Sequence, residues 1–164
     1  MKRLVYAVCV MLAGSAPARA ADGEAFGIRM GQTLAQLDVD RRVGELGYAL
    51  KSAPDPDPLF AEYRVVATPR AGVCSVVAVA RFDNMKNAIR VYNEVQDRLF
   101  AAYGPALYQD LSHRTSDETL MWTPRLRTSA VTLTLVRSNP KEKRVTLTVL
   151  FANRDACDQA AEHR

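Results

Sequence analysis

This sequence has few of the residue types that build catalytic and metal sites. It holds two histidines and three cysteines among 164 residues, and no cysteine or histidine pair has the close spacing of a metal site. It also lacks a Gly-x-Ser-x-Gly nucleophile motif and a glycine-rich loop that ends in Gly-Lys-Ser or Gly-Lys-Thr. We therefore predict no metal, no cofactor and no catalytic residue, and we expect that the protein is not an enzyme.

The two histidines have little chemical context. His163 is the penultimate residue, and His113 lies in the polar stretch from Leu111 to Glu118. We interpret His113 as an exposed loop residue. The alternative is a general base with a serine or aspartate nearby, which is how an unrecognised hydrolase would use it.

Apolar runs long enough to cross a bilayer are also missing. The run from Leu4 to Ala13 is too short for a span. Lys2 and Arg3 precede it and Ala18 to Ala20 close the segment, an order typical of a secretory signal peptide. We predict a signal peptide over residues 1–20 with cleavage near Ala20, and a single domain over residues 21–164. The expected product is periplasmic or secreted and has no stable membrane anchor.

The mature chain lacks a strong excess of one charge. The full sequence has 22 basic and 18 acidic residues, but Lys2, Arg3 and Arg19 lie in the predicted signal peptide. Their removal leaves the two signs almost balanced. We therefore expect no nucleic-acid partner, since such proteins carry a basic surface.

Cysteine is scarce, and Cys9 lies in the predicted signal peptide. Cys74 and Cys157 remain as an even pair in an oxidising compartment, so we predict that they form a disulfide. A reactive thiol and a metal site are the alternatives. The bond would close a loop of 83 residues, for which the chain-entropy model gives at most about 4.5 kcal/mol.

Apolar periodicity predicts helices in two places. A stripe of apolar residues spaced three and four apart runs from Asn84 to Tyr103 and stops at Gly104-Pro105, as in an amphipathic helix. Thr33 and Gln36 have the spacing of a capping box, which predicts a short N-terminal helix, or two broken ones, closing at Gly47.

Alternating or continuous apolar patterns predict strands. The candidates are Tyr48 to Ser52, Phe60 to Thr68, Val73 to Phe82, Glu118 to Thr123, Val131 to Leu135 and Val145 to Phe151. The run from Val73 is apolar on both faces, which favours a central strand with Cys74 beside Val76 and Ala78. The last two runs should pair as a hairpin. We predict an α+β fold: a mainly antiparallel sheet of about five to six strands, one long helix packed on one face, and a short N-terminal helix.

One short segment, Pro54 to Pro58, combines three prolines with Asp55 and Asp57. We interpret it as a stiff turn or polyproline connection. The alternative is a pair of calcium ligands, but a calcium loop needs more oxygen donors.

Two groups of side chains are candidates for a ligand or partner surface. Trp122, Tyr103 and Tyr108 could line a pocket, and the alternative is that they belong to the core. A basic stretch could meet an anionic partner or could be a solvated hairpin tip; its members are Arg137, Lys141, Lys143 and Arg144.

Several segments resemble a type of small exported bacterial domain of unassigned activity: Phe26-Gly27-Ile28 with Gly31, Tyr63 to Cys74, Tyr103-Gly104, Trp122, and Leu150-Phe151 followed by Cys157. The resemblance implies an α+β fold and a disulfide, and it carries over no catalytic residue. The segment from Ile28 to Gly47 is similar to the opening of the BamE/SmpA-type outer-membrane-assembly lipoproteins. Serine stands where their lipid-bearing cysteine would be, so we expect no lipid anchor.

Together these patterns favour a non-enzymatic exported protein that binds another envelope protein, as an assembly factor or an inhibitor does. One alternative is a protein that binds a small ligand or an envelope glycan in an aromatic pocket around Trp122. The other is a hydrolase that uses His113. A concave pocket lined by aromatic side chains would favour the first alternative. The oligomeric state stays open.

Overall fold

The computed structural model describes residues 23–111, 117–122, 128–137 and 142–151. Within these ranges the chain forms one α-helix, one 3-10 turn and ten strands, of which eight make a single antiparallel sheet. The predicted α+β class, with a large antiparallel sheet and one long helix, is confirmed. The prediction of five to six strands was too low.

The strands follow one another along the chain with a single long helix between the sixth and the seventh. Their bounds are β1 Glu24–Ala25, β2 Ile28–Arg29, β3 Val39–Arg42, β4 Gly47–Leu50, β5 Glu62–Thr68, β6 Gly72–Phe82, β7 Tyr108–Leu111, β8 Glu118–Trp122, β9 Thr128–Val136 and β10 Lys143–Phe151; the helix is α1, Met85–Tyr103. The large sheet has the order β3-β4-β5-β6-β10-β9-β8-β7, and β1 and β2 form a separate hairpin.

The central strand is β6, which pairs with β5 on one side and with β10 on the other. Its apolar residues on both faces make this position favourable, because a central strand is covered on both sides. The orientation predicted for Cys74 was wrong. A register shift pairs Val66 with Ser75 and Ala67 with Val73, which leaves Cys74 at a bulge. Cys74 is buried, but it lies outside the core cluster that contains Val76.

The predicted hairpin of the last two strands is confirmed, since β9 and β10 pair in antiparallel register. Alternation places Val131, Leu133 and Leu135 of β9 in the core together with Val145 and the inward residues that follow it on β10. The threonines that alternate with them lie on the other face of the sheet. The core therefore lies on the face of the sheet that α1 covers.

The long helix begins and ends as its sequence predicts. The Asn84 side chain caps it by accepting a hydrogen bond from the Asn87 amide at 2.9 Å. At the other end Gly104 adopts a φ of +79°, and its amide donates to the Phe100 carbonyl at 2.8 Å. The helix contacts β6, β9 and β10 through its apolar stripe.

The predicted N-terminal helix was wrong. Only one 3-10 turn forms, Leu34–Gln36, in which the Gln36 side chain accepts a hydrogen bond from the Thr33 amide at 3.1 Å. The capping signal is therefore real, but the chain turns extended at Leu37 and becomes β3, which pairs with β4. Pairing of backbone groups with the sheet outweighs a helix with two glycines near its end.

The N-terminal segment is fastened to the start of β6. The Gly31 amide donates to the Val73 carbonyl at 2.8 Å, and the Val73 amide donates to the Gln32 carbonyl at 2.9 Å. Gly72 makes this approach possible, since a Cβ there would lie 2.2 Å from the Gly31 carbonyl oxygen. The β1–β2 hairpin is thereby held against the large sheet.

Candidate functional site

A cavity of about 490 Å³ lies under the C-terminal half of α1. Its floor consists of buried side chains from the two strands beneath the helix: Val131 on β9, and Leu147 and Val149 on β10. Strand alternation gives these three residues the same face of the sheet. Because the register places Val149 opposite Val131, the floor is continuous and apolar.

The roof of the cavity is α1. Val95, Leu99 and Tyr103 recur every four residues along the helix and line the cavity. Ala101 and Ala102 also line it and are exposed to solvent. The cavity therefore opens along this side of the helix, where the small alanine side chains leave room for entry.

A side wall of the cavity is formed by the tip of the β1–β2 hairpin. Phe26 and Gly27 both have positive φ angles, +55° and +74°, as in a type I′ turn. Phe26 is only 6 % exposed, and its ring packs edge to face on Phe60 and Tyr63 with centroid distances of 5.9 and 5.2 Å. A phenylalanine in the left-handed region costs about 1 kcal/mol. The packing of the ring must outweigh that cost.

The proline-rich segment braces this hairpin. The Asp55 amide donates to the Phe26 carbonyl at 3.0 Å. Gly27 lies directly against Pro54, and a Cβ on Gly27 would be 2.9 Å from the proline Cβ. Each residue of the Phe-Gly pair therefore has a structural reason: the ring of Phe26 forms an aromatic wall of the cavity, and Gly27 allows Pro54 to approach the hairpin closely.

A small set of polar groups lies at the rim of the cavity, centred on the Arg98 guanidinium. Its Nη1 donates to Asp57 Oδ2 at 3.0 Å, and its Nη2 donates to Glu94 Oε1 at 2.5 Å. The other oxygen of Asp57 accepts a hydrogen bond from the Leu59 amide at 2.9 Å. The Tyr63 hydroxyl bonds the backbone of Asp57 in both directions, and burial raises the pKa of this tyrosine. Asp57 is therefore held firmly in place.

This arrangement suits the burial of an apolar ligand. Apolar side chains form the floor, the roof and one wall. Among the described residues, those with polar side chains in the lining are Asp57, Asp97, Arg98 and Tyr103. Recognition of a glycan would need more hydrogen-bonding groups. Within the described ranges no three potential metal ligands come together. His113 and His163 lie outside those ranges.

The aromatic residues predicted for a pocket have different positions. Trp122 is 2 % exposed, and its indole Nε1 donates to the Gly104 carbonyl at 2.9 Å, so it fixes the end of α1 from within the core. Tyr103 lines the cavity. The backbone of Tyr108 pairs with Met121 in the sheet, and its side chain lies outside the described set. The structure therefore builds its aromatic pocket from Tyr103, Phe26 and Phe60.

Two residues of the basic stretch, Arg137 and Lys143, form hydrogen bonds with neighbouring residues. The Arg137 amide donates to Asp117 Oδ1 at 2.7 Å, and its guanidinium donates to Glu118 Oε2 at 3.2 Å. Lys143 Nζ donates to the Arg137 carbonyl at 2.8 Å. The half-buried Arg144 has its Nε atom buried. Lys141 lies outside the described residues.

Tyr92 lies on α1 near Glu118 and Arg137. The side chain is almost fully buried, and its hydroxyl makes no hydrogen bond among the described residues. Burial raises the pKa of Tyr92, and the nearby Glu118 carboxylate raises it further. This tyrosine therefore stays neutral throughout the physiological range.

The predicted disulfide falls only partly within the described residues. Cys74 is buried at the bulge of β6, with its sulfur 3.5 Å from the Gly72 carbonyl oxygen. Cys157 lies outside the described ranges. The pairing stays a prediction.

Sequence reasoning did not assign Phe26, Asp57 or Arg98 to a cavity, although Asp57 was an alternative calcium ligand. The Phe-Gly pair between two short extended segments is a signal for a type I′ turn, and a large aromatic residue at such a turn indicates a special role. Arg98 follows Glu94 by four residues, which predicts an ion pair on the helix but not its contact with Asp57. That contact joins residues 41 positions apart.

Comparison of the chain with protein-family models, with curated proteins and with solved structures finds no match. The resemblances described from the sequence therefore stay predictions. No helix in the described part of the chain is long and apolar enough to cross a membrane.

Proposed function

We propose that this protein is an exported, non-enzymatic binding protein that holds the apolar part of a small ligand in the cavity beneath α1. The observation that carries the proposal is the cavity itself. Its volume of about 490 Å³ lies in the range of small-molecule sites, roughly 300–1,000 Å³. Its apolar floor and aromatic wall are the surfaces from which ligand binding would displace water.

Export through a cleaved signal peptide over residues 1–20 remains part of this proposal, as does a Cys74–Cys157 disulfide. The register supports the disulfide. Leu150 of β10 pairs with Ser75 of β6, so β10 ends beside Cys74. Cys157 follows Phe151 by six residues, a length of chain that can turn back to the strand it has just left.

The experiment fills the cavity from its floor. Val131 lines the cavity and Val145 does not, although both are buried inward residues of neighbouring strands. Val131→Phe would place a ring in open space, whereas Val145→Phe would overpack the core and cost about 1–3 kcal/mol. Binding is measured by titration with the neutral fluorescent probe 1-N-phenylnaphthylamine, and stability is measured by urea unfolding.

The expected result is that the natural protein binds the probe. Val131→Phe should weaken binding at least tenfold with little loss of stability, and Val145→Phe should lose stability and keep the site. No binding by the natural protein, or equal binding by Val131→Phe, would overturn the proposal. Equal destabilisation by both substitutions would show that the floor has no free space.

Binding of another envelope protein, which the sequence favours, is the second candidate. Phe100, in the last turn of α1, and Leu107, directly before β7, are 57 % and 73 % exposed. Exposed apolar side chains that form a contiguous patch mark partner surfaces. Three variants are used as bait in a pull-down from envelope extract: Phe100→Ser, Leu107→Ser and Val131→Phe. The proteins that each variant captures are compared. A partner lost with the first two variants and kept with the third would favour this candidate.

A further inference from the structure

Charged side chains lie at the mouth of the cavity. Among the described residues, three charged side chains line it: Asp57, Asp97 and Arg98. The one cation among them is already paired, because Arg98 contacts both Asp57 and Glu94. Its second partner, Glu94, also lies 3.6 Å from Arg90. The described side chains of the rim therefore carry an excess of negative charge.

An anionic head group meets an obstacle at this rim. To bind Arg98 it would compete with Asp57, whose side chain is only 13 % exposed. Separation of the pair would leave the Asp57 carboxylate largely buried without its cation, which is costly. Arg98 therefore does not act as a receptor for a fatty-acid carboxylate, although an arginine at the mouth of an apolar cavity suggests that role at first sight.

A cationic head group meets the opposite situation. Asp97 is exposed beside the opening and pairs with no cation among the described residues. It precedes Arg98 on α1, so it lies at the edge where a ligand in the cavity would leave its head group. An ammonium group there would gain the attraction of an exposed ion pair without displacing any existing contact.

The geometry points to a cationic amphiphile as the ligand class: an apolar tail beneath α1 and an ammonium head group beside Asp97. This inference rests on the proposed function, since it needs the cavity to be a binding site. Each exposed charge contributes modestly. Attraction of a cation and repulsion of an anion together give about a three- to tenfold preference at low salt.

The test uses three ligands with the same dodecyl tail: dodecylammonium, dodecanol and dodecanoate. Each displaces 1-N-phenylnaphthylamine from the purified protein at low salt, below its aggregation concentration, with the fold followed by circular dichroism. We expect dodecylammonium to bind about three- to tenfold more tightly than dodecanoate, with dodecanol between them. High salt should narrow the difference.

Two substitutions of Asp97 test whether this residue causes the preference for the cationic ligand. Asp97→Asn should bring the three affinities together, and Asp97→Lys should reverse their order. Asp83→Asn is the matched control, because it makes the same change of charge at the opposite, N-terminal end of α1 and should leave the preference unchanged. If the probe binds and the three ligands bind equally, or if Asp83→Asn acts like Asp97→Asn, this inference is wrong and the proposed function stands. If the probe itself does not bind, the proposed function fails first.

Discussion

Replacement of Phe26 tests how the cavity wall is stabilised, because this residue combines a buried ring with a strained backbone. The ring contacts Phe60 and Tyr63 and is almost fully buried. Loss of such a ring costs about 3–5 kcal/mol in a closed core. Here the ring borders an open cavity into which water can enter, so we expect Phe26→Ala to cost about 2–4 kcal/mol.

Phe26→Gly distinguishes the stabilisation from ring packing from the destabilisation due to backbone strain. Glycine loses the same ring, but it adopts a φ of +55° without the steric cost that alanine retains. We therefore expect Phe26→Gly to be more stable than Phe26→Ala by about 1 kcal/mol. Ala25→Gly, at the neighbouring residue outside the positive-φ set, is the control and should lose about 0.5–1 kcal/mol.

Equilibrium unfolding in urea, followed by circular dichroism, measures all three variants. The reasoning about strain is refuted if Phe26→Ala is as stable as Phe26→Gly. The reasoning about packing is refuted if Phe26→Ala costs less than about 1 kcal/mol. Both variants widen the cavity, so a shift of the preferred ligand toward longer alkyl chains is expected in the same preparations.

Three further predictions concern the fold. Burial raises the pKa of Tyr92, so the contribution of this residue to the free energy of unfolding is present below about pH 10 and is lost as the pH rises above that value. Tyr92→Phe should therefore reduce the decrease in unfolding free energy at alkaline pH. An unchanged decrease would contradict this prediction. Gly72→Ala should cost more than Gly104→Ala, because a Cβ on Gly72 would lie against backbone, whereas a Cβ on Gly104 would meet no atom of the described residues within 4 Å. Both glycines have positive φ, and the φ of +79° and ψ of −161° of Gly104 cost other residues about 1–3 kcal/mol. Equal losses in urea unfolding would refute the close approach at Gly72. Cys157→Ser should lower the unfolding free energy by up to about 4.5 kcal/mol and leave Cys74 reactive only after unfolding; two titratable thiols in the natural protein would disprove the disulfide.

The elements with a long periodic signal could be predicted from the sequence. The helix from Met85 to Tyr103 has both an apolar stripe and end signals, and the strands β9 and β10 alternate strictly between apolar residues and threonine. In each case local preference and tertiary packing favour the same structure, which is the condition for a reliable prediction.

The N-terminal segment shows why other elements could not be predicted. Thr33 and Gln36 make their local contacts, yet the helix that they predict gives way to β3 because the backbone pairs with β4. Local sequence does not specify this long-range pairing. Similarly, one extra residue at Cys74 reverses the direction of its side chain, and a bulge leaves no clear mark in an apolar strand.

The cavity was the least predictable feature, since it lies between elements that are far apart in the sequence. Phe26 comes from the hairpin, Asp57 from the proline-rich segment, Arg98 from α1 and Val149 from the last strand. Each has an ordinary local role: a turn, a loop, a half-buried helix position and a core strand. Only the tertiary arrangement brings them around one space.

The order of the sheet also affects self-association. A sheet that does not close into a barrel leaves backbone donors and acceptors free along its outermost strand, which invites the strand of another molecule. The outermost strands of this sheet are β3 and β7. Of the two, β3 is only four residues long and irregular in register, and Asp40, Arg41 and Arg42 are exposed along it. A neighbouring copy that added a strand at the β3 edge would have to desolvate these charges, so this edge disfavours strand addition to an otherwise threonine- and valine-rich sheet.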